Sequence, residues 1–204
     1  MAAAGNRNAR GESLKTFKRR HILDAARRLF DARGMEGLNM RAIAEEAGYS
    51  LGAAYAYFRT KEEIQIELLA ATFAELARRI RAAALRDGSS PLAGFHLFMR
   101  YFRDRPAERA LLLATLPEID KPAMRAARKE FDSRLFALLG LLANALHHLG
   151  GATPSQAQEE TMDFFTYLLG LLMLQSGGSL SRLGQPAQEM VDRYGEQMLL
   201  RITR

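Results

Sequence analysis

The chain has 204 residues, of which 48% are hydrophobic and 25% charged, and it contains no cysteine. This length and composition predict a soluble globular protein of one large or two small domains. The longest apolar runs, residues 135–143 and 164–174, are too short to cross a bilayer as helices, and the first twenty residues lack the apolar segment of a secretory signal. We therefore expect a cytoplasmic protein without disulfides, thiolate metal sites or a cysteine nucleophile.

The positive charge is concentrated near the N-terminus. Residues 1–61 contain twelve Lys or Arg and six Asp or Glu, whereas residues 62–204 contain seventeen of each. The whole net charge of +6 therefore belongs to the first third of the chain. This distribution is typical of a segment that binds a polyanion, and double-stranded DNA is the first candidate. A solvated basic tail and an anionic membrane surface are the alternatives.

The first third of the chain predicts three helices. Ala and Leu dominate the composition and no period-two alternation persists, so we expect an all-α protein. A first helix is expected over about 15–33, ended by Gly34. A second over 40–47 is capped by Asn39 and stopped by Gly48, and a third over 51–57 is capped by Ser50.

The remaining two thirds predict about six further helices. Thr60 and Glu63 form a capping box for a long fourth helix that runs to about residue 86. Prolines 91, 106, 122, 154 and 186 fall near the starts of later helices, where a missing amide costs nothing. Thr153 and Gln156 repeat the capping-box pattern, and the last two helices are expected over about 154–176 and 186–202.

Residues 39–61 have the pattern of a helix-turn-helix unit. Such a unit needs a small residue where its helices touch, a glycine at the turn, apolar anchors and an exposed first turn on the second helix. Ala44, Gly48, Ile43 with Ala47, and Ser50 to Ala53 meet these requirements. The N-terminal residues of a short helix can reach base edges in the major groove, so the unit is suited to reading DNA.

Three segments resemble the tetracycline-repressor-like (TetR) family of one-component regulators. They are Ile22-Leu23-Asp24-Ala25-Ala26 to Leu29-Phe30 with Gly34; Met40-Arg41-Ala42-Ile43-Ala44 to Ala47-Gly48; and Ser50, Gly52, Tyr55, Phe58, Lys61 and Glu62. The resemblance covers about residues 18–66. It implies a homodimer with a three-helix DNA-binding domain, residues 1–62, and a C-terminal ligand-binding and dimerisation domain, residues 63–204.

The resemblance also implies DNA-contacting residues. Asn39 and Met40 match the start of a helix that meets the phosphate backbone, and Arg41 matches a position that reaches a base or a phosphate. Tyr55 and Tyr57 match recognition-helix positions that contact phosphate or base, and core packing is the alternative for Tyr55. Lys61 matches a lysine that binds phosphate, and a merely solvated charge is its alternative. The first turn of the recognition helix completes the predicted set: Ser50, Leu51, Gly52 and Ala53.

The recognition helix departs from the family pattern where bases are read. Leu51, Ala54 and Ala56 stand where polar, basic or larger side chains are common, so the helix has few hydrogen-bond donors. Base preference is then expected to depend on apolar contacts, on Arg41 and on DNA shape. The basic segment from Arg7 to Arg20 is expected to be a solvated, disordered tail, with an arm that follows a DNA groove as the alternative.

Residues 63–204 contain no convergent acid, base and nucleophile, no phosphate loop and no metal-binding spacing, so neither an enzyme nor a cofactor is predicted. Aromatic side chains at helical spacing are ordinary core or, by the family resemblance, the lining of a cavity for a small hydrophobic or aromatic effector. The candidate ligand-binding residues are Phe98, Tyr101, Phe102, Phe131, Asn144, His147 and His148.

The last two predicted helices, about 154–176 and 186–202, are the candidate dimer interface. Leu168, Gly170, Leu171 and Leu174 belong to a segment that is apolar almost all round, which requires burial on more than one side. Burial within the helix's own subunit is the alternative.

Together these features predict a transcriptional regulator, most simply a repressor, that binds a near-palindromic operator as a dimer and is released by a small molecule. The alternative is a helical ligand-binding or scaffold protein whose basic head meets an anionic partner. No membrane association is expected, because residues 1–16 lack an apolar face opposite their charges.

Overall fold

A computed structural model describes residues 2–84 and 90–203, with side chains from residue 12 onward. The described residues are all-α, as the sequence predicts, with these ten helices: α1 (Ala2–Arg33), α2 (Met40–Glu46), α3 (Leu51–Tyr55), α4 (Lys61–Ala84), α5 (Ala93–Arg103), α6 (Pro106–Thr115), α7 (Arg125–Gly150), α8 (Pro154–Ser176), α9 (Ser179–Arg182) and α10 (Ala187–Ile202). None of these helices is both long enough and apolar enough to span a bilayer.

The chain forms two compact units. The first comprises Met1–Leu69 and Ala114–Lys129, and the second comprises Ala70–Leu113 and Glu130–Arg204. The sequence prediction ends the first domain at residue 62, whereas this unit extends through Leu69 and takes in a distant segment. A boundary of that kind depends on long-range packing, which local patterns do not encode.

The core of the first unit is built where α1, α2 and α3 meet. Ile22, Ala26 and Phe30 present one face of α1, and Ile43 and Ala54 are fully buried against it or its neighbours. The side chain of Arg28 reaches the carboxylate of Glu46 at 2.8 Å, which joins α1 to α2 on the surface. The three-helix arrangement predicted from the sequence is therefore present.

Two glycines shape the turns of this unit. Gly48 follows α2 with a φ of +69°, a left-handed conformation that L side chains rarely adopt. Gly37 lies so close to α1 that an added Cβ would be 2.5 Å from the carbonyl oxygen of Leu29. The chain therefore needs glycine at Gly48 for its conformation and at Gly37 for space.

Helix capping follows the predictions with one difference. Asn39 Oδ1 accepts from the Ala42 amide at 2.9 Å, and Ser50 Oγ accepts from the Ala53 amide at 3.2 Å. Thr153 and Gln156 form the complete capping box. At α4, Thr60 Oγ1 accepts from the Glu63 amide, but the Glu63 carboxylate accepts from the Arg59 amide, one residue before the expected donor.

Two sequence-predicted boundaries differ by more than one residue in the structure, and a third cannot be compared. α1 begins at Ala2 rather than near residue 15, so the predicted disordered tail is wrong for the backbone of residues 2–14. The side chains of Arg7 and Arg10 lie outside the described part. α3 ends at Tyr55 rather than Tyr57, and the end predicted for the fourth helix near residue 86 also falls outside the described residues.

The second unit has a core of phenylalanine rings. Phe73 and Phe131 have ring centroids 5.3 Å apart, Phe98 and Phe102 are separated by 4.9 Å, and Phe95 stacks on Phe164 at 4.5 Å. These rings are at most 2% exposed. Such aromatic pairs add to the hydrophobic free energy of burying each ring.

A buried polar pair lies in the same unit. The Glu108 carboxylate, in a residue only 4% exposed, accepts a hydrogen bond from Thr72 Oγ1 at 2.9 Å. A buried carboxyl group is costly without such partners, so this bond fixes α6 against α4 at one register.

Candidate DNA-binding and ligand sites

The helix-turn-helix leaves one side of its second helix, α3, exposed, with both polar and apolar side chains. Ser50, Leu51, Gly52 and Tyr55 are exposed along the third helix, and Leu51 and Tyr55 are 36% and 46% exposed. Ala54 is completely buried, which explains why this position is small. The first turn of α3 is therefore open to a large partner, while its inner face anchors it to the unit.

The predicted DNA-contacting residues divide by exposure. Asn39, Arg41 and Lys61 are exposed, Ala53 and Tyr57 are half-buried, and Met40 is only 8% exposed. The side chain of Met40 therefore belongs to the core, and its backbone at the start of α2 is the part that can meet a phosphate. No described carboxylate lies within salt-bridge distance of Arg41 or Lys61.

Phe58 is a core residue that holds a cation in place. Its side chain is completely buried, and the guanidinium carbon of Arg19 lies 4.1 Å from the centroid of its ring. Arg19 also forms an ion pair with Glu67. These contacts join α1 to the segment that precedes α4 and to α4 itself.

A small apolar cavity lies in the second unit among α4, α5 and α7. Its volume is about 240 Å³, and apolar atoms form most of its surface. Ile80, Gly94 and Leu141 form the apolar wall, and Asn144 and His148 supply polar groups. These two residues are one helical turn apart on α7, so they share a face.

The other predicted ligand residues lie elsewhere. Phe98, Phe102 and Phe131 are packed in the aromatic core, and Tyr101 is 7% exposed with the Arg105 guanidinium carbon 4.3 Å from its ring centroid. His147 has Nδ1 2.7 Å from the Ala152 carbonyl oxygen, which gives it a structural partner at the end of α7. Only Asn144 and His148 of the predicted set line this cavity; Arg81 and Ser90 were not predicted. The spacing of residues in the sequence shows which of them share a helix face. Whether that face packs against an aromatic ring or lines a cavity depends on the neighbouring helices.

The predicted interface residues of α8 also divide. Leu168 and Leu171 are buried in their own subunit, at 0% and 2% exposure, whereas Gly170 is exposed and Leu174 is 45% exposed. Met162 and Met173, which the sequence analysis did not single out, are 51% and 70% exposed on the same helix. Met162 lies eight residues before Gly170 and Met173 lies three residues after it, so both are near the face of α8 that carries Gly170.

Among the described residues there is no group of three or more His, Asp or Glu side chains placed to hold a metal ion. His96 Nε2 of α5 lies 3.2 Å from Asp192 Oδ1 of α10, which brings two such side chains together but not three.

Comparison with known proteins agrees with this architecture. The family model described as bacterial regulatory proteins, tetR family, matches residues 22–68. An uncharacterized HTH-type transcriptional regulator of Mycobacterium tuberculosis is 29% identical over 155 residues, which cover 74% of this chain and 73% of that protein. The HTH-type transcriptional repressor KstR of Mycolicibacterium smegmatis is 32% identical over 79 residues, or 39% of each chain.

A solved structure shows the same fold over most of the chain. The TetR-family repressor FadR of Thermus thermophilus, crystallised with lauroyl-CoA, has a TM-score of 0.64 at 21% identity and covers 89% of this chain and 93% of its own. Residues 22–68 thus match the DNA-binding segment of the TetR family of transcriptional regulators, and the described residues have the fold of such regulators. Its curated relatives are transcriptional regulators rather than enzymes.

Proposed function

We propose that this chain is a repressor that binds a near-palindromic operator as a homodimer and is released by a small hydrophobic effector. The observation that carries the proposal is the exposed first turn of α3, capped by Ser50 and preceded by the left-handed Gly48, beside an exposed Arg41 on α2. In a dimer, two such helices would enter successive major grooves, about 34–36 Å apart.

The contacts divide into positioning and reading roles. The start of α2, Tyr55, Tyr57 and Lys61 would hold phosphates, whereas Arg41, Leu51 and Ala53 would face base edges. Arg can donate two hydrogen bonds to guanine, and the methyl groups of Leu51 and Ala53 suit the methyl group of thymine. Because α3 has few hydrogen-bond donors, DNA shape would determine a large share of the sequence preference.

The dimer would form through the exposed apolar stripe of α8, which consists of Met162, Gly170, Met173 and Leu174. An added Cβ on Gly170 would meet nothing within 4 Å in this chain, so its surface is open for a close helix approach. Leu200, 62% exposed on α10, adds apolar area near the chain's end. A two-fold axis would pair the same patch on both subunits.

The effector would bind in the cavity among α4, α5 and α7. Its volume is about 240 Å³, just below the roughly 300–1,000 Å³ of typical ligand pockets, which favours a compact apolar group. Asn144 and His148 would orient that group through hydrogen bonds. Because α4 runs from Lys61 to the cavity residue Ile80, filling the cavity can bias the DNA-binding unit, with a coupling of about 1–3 kcal/mol.

Selection from a random duplex library at about 150 mM salt tests the DNA-binding part of the proposal. Specific binding should exceed non-specific binding by roughly 10³-fold or more, so a two-fold symmetric motif should be enriched. Binding without any enriched motif, which disappears as salt rises, would contradict an operator-specific repressor and favour a scaffold with a basic head.

Filling the cavity tests the effector part. Ala145→Phe places a ring in the lining, while Ala137→Phe makes the same change on an exposed position of α7 outside it. Candidate effectors would be small aromatic and aliphatic compounds, with lauroyl-CoA as the long-chain member. A compound that releases operator DNA from the wild type and from Ala137→Phe should fail to release it from Ala145→Phe; equal release from all three would place its site elsewhere.

A further inference from the structure

An open groove in the first unit lies apart from the surface that would read bases. Its volume is about 660 Å³. Its wall combines the end of α3 and the turn after it, α1, the first turns of α4 and α7, and the turn before α7. The charged and aromatic members of the lining are Lys15, Arg19, Tyr55, Tyr57, Arg59, Glu63, Arg125 and Lys129.

The charge of this groove is strongly positive. Five cationic side chains line it against one carboxylate, that of Glu63. Arg19 is neutralised by Glu67, an acid beside the groove. The other four cations, Lys15, Arg59, Arg125 and Lys129, have no carboxylate within salt-bridge distance in the part of the chain that the structure describes. Four uncompensated charges around one concavity attract an anion.

The start of α7 lacks the acidic residues that the start of α4 has. Helix N-termini carry partial positive charge, so acidic side chains are favoured there and cationic ones are disfavoured. α4 has Glu62 and Glu63 in its first turn, whereas α7 has no acidic residue in its first turn and begins at Arg125. Arg125 and Lys129 lie one turn apart at the groove, and the dipole of a 26-residue helix adds to their charge.

The groove is continuous with the candidate DNA-binding surface. Tyr55 and Tyr57 belong to both, and their hydroxyl groups can donate hydrogen bonds to phosphate oxygens. The aliphatic members of the lining are alanines, so the cationic side chains give the groove its selectivity. A phosphate group has several oxygens, which can accept hydrogen bonds from guanidinium, ammonium and hydroxyl groups at the same time.

We propose that this groove binds phosphate groups, with Arg125 and Lys129 as its principal cations. The DNA backbone that flanks the bases read by α3 is the source that the position of Tyr55 and Tyr57 favours, and this form of the proposal rests on the proposed DNA-binding function. A phosphorylated small molecule would present the same chemistry to the same residues.

Salt dependence tests the DNA source. The logarithm of the association constant falls with the logarithm of salt by about 0.9 for each phosphate neutralised. Arg125→Gln and Lys129→Gln should each reduce that slope by about 0.9 per subunit, or about 1.8 for the dimer, equally on operator and on random duplex. Arg128→Gln is the matched control, because it removes a cation from the same turn that is paired with Asp120 at 2.7 Å and does not line the groove. Its slope should stay at the wild-type value.

Inorganic tripolyphosphate tests the groove without DNA. Calorimetric titration of the full chain should show binding that weakens at least tenfold in Arg125→Gln and Lys129→Gln but not in Arg128→Gln. Reduced salt slopes assign the groove to DNA; unchanged slopes with selective loss of tripolyphosphate binding assign it to a phosphorylated ligand, and both support a phosphate site. Unchanged slopes with no selective loss of tripolyphosphate binding would overturn it.

Two measurements distinguish a loss of phosphate binding from a loss of folding and from a failure of the proposed DNA-binding function. The melting temperatures of the glutamine variants should not fall below that of the wild type, because removing a cation from a helix N-terminus relieves repulsion. If the wild type binds no DNA at all, the proposed function fails, while the tripolyphosphate titration still decides whether the groove binds phosphate.

Discussion

Arg41 and Lys61 are two exposed cations of the helix-turn-helix region, and they are predicted to have different roles. Lys61 is the first residue of α4, a place where the helix dipole disfavours a cation. Arg41 is the second residue of α2, and its neighbours Met40 and Ile43 anchor that helix in the core. Both residues lie at helix starts, so the family resemblance, and not this local geometry, gives Arg41 the role of reading a base and Lys61 that of holding a phosphate.

Lys61→Ala should weaken binding to all DNA sequences by a similar factor, because a phosphate contact carries no base information. The salt slope of the association constant should fall by about one for each subunit of the dimer. Fluorescence anisotropy with operator and random duplexes over a series of salt concentrations measures both quantities. A slope equal to that of the wild type would show that Lys61 is a solvated charge.

Arg41→Ala should relax preference at one base pair in each half-site, at a cost of about 1–3 kcal/mol for the preferred base. Competition between the selected operator and its single-base variants measures this loss. Arg41→Lys keeps the charge but loses the two-pronged donor geometry, so it should restore general affinity without restoring the base preference. Equal losses on operator and random DNA would instead assign Arg41 to the backbone.

At the scale of elements, helix packing in the second unit depends on close approach at particular glycines. An added Cβ on Gly94 of α5 would lie 2.5 Å from Leu142 Cδ2 on α7 and 3.2 Å from Ile80 Cγ2 on α4. On Gly140 of α7, the same Cβ would meet nothing within 4 Å. The first glycine therefore allows three helices to converge beside the cavity, and the second has no such packing role.

Gly94→Ala should lower the free energy of unfolding by about 1–3 kcal/mol, because the added methyl group overpacks the contact with Leu142. Gly140→Ala should raise it by about 0.5–1 kcal/mol, because alanine is the better helix former. Urea unfolding followed by circular dichroism compares the two variants. Similar behaviour of both would mean that the side chains around Gly94 yield without cost.

At the scale of the whole molecule, the apolar surface of α8 is the feature that a monomer leaves unexplained. Met173 is 70% exposed and Leu174 is 45% exposed, although both lie on a helix whose other face is buried. Large apolar side chains exposed together on one helix mark association surfaces. The proposed binding of a two-fold symmetric operator would require such an association.

Met173→Lys should raise the dissociation constant of the dimer at least tenfold, because a charge would be buried at the centre of the proposed interface. Sedimentation over a range of micromolar concentrations measures the change. Phe17→Lys introduces the same charge at a side chain that is 66% exposed on α1, outside the stripe, and should leave the mass unchanged. An unaltered mass in Met173→Lys would place the dimer interface elsewhere.

Features that depend on neighbours in the chain could be predicted from the sequence. The caps at Asn39 and Ser50, the turn at Gly48 and the start of α8 follow from hydrogen bonds and dihedral angles within a few residues. The helix-turn-helix and the family resemblance are local patterns of the same kind. The all-α fold and the DNA-binding class could therefore be predicted before any coordinates.

Features that depend on distant contacts were decided by the tertiary structure alone. Helical periodicity does not distinguish the core rings of Phe98 and Phe131 from cavity walls, or the buried Leu168 from the exposed Leu174, because each choice depends on which helix packs opposite. The basic groove joins Lys15 to Lys129, residues whose proximity no local pattern encodes. Local hydrogen bonding determines where helices begin and end, whereas long-range packing determines which of their faces remain available to ligand, partner and DNA.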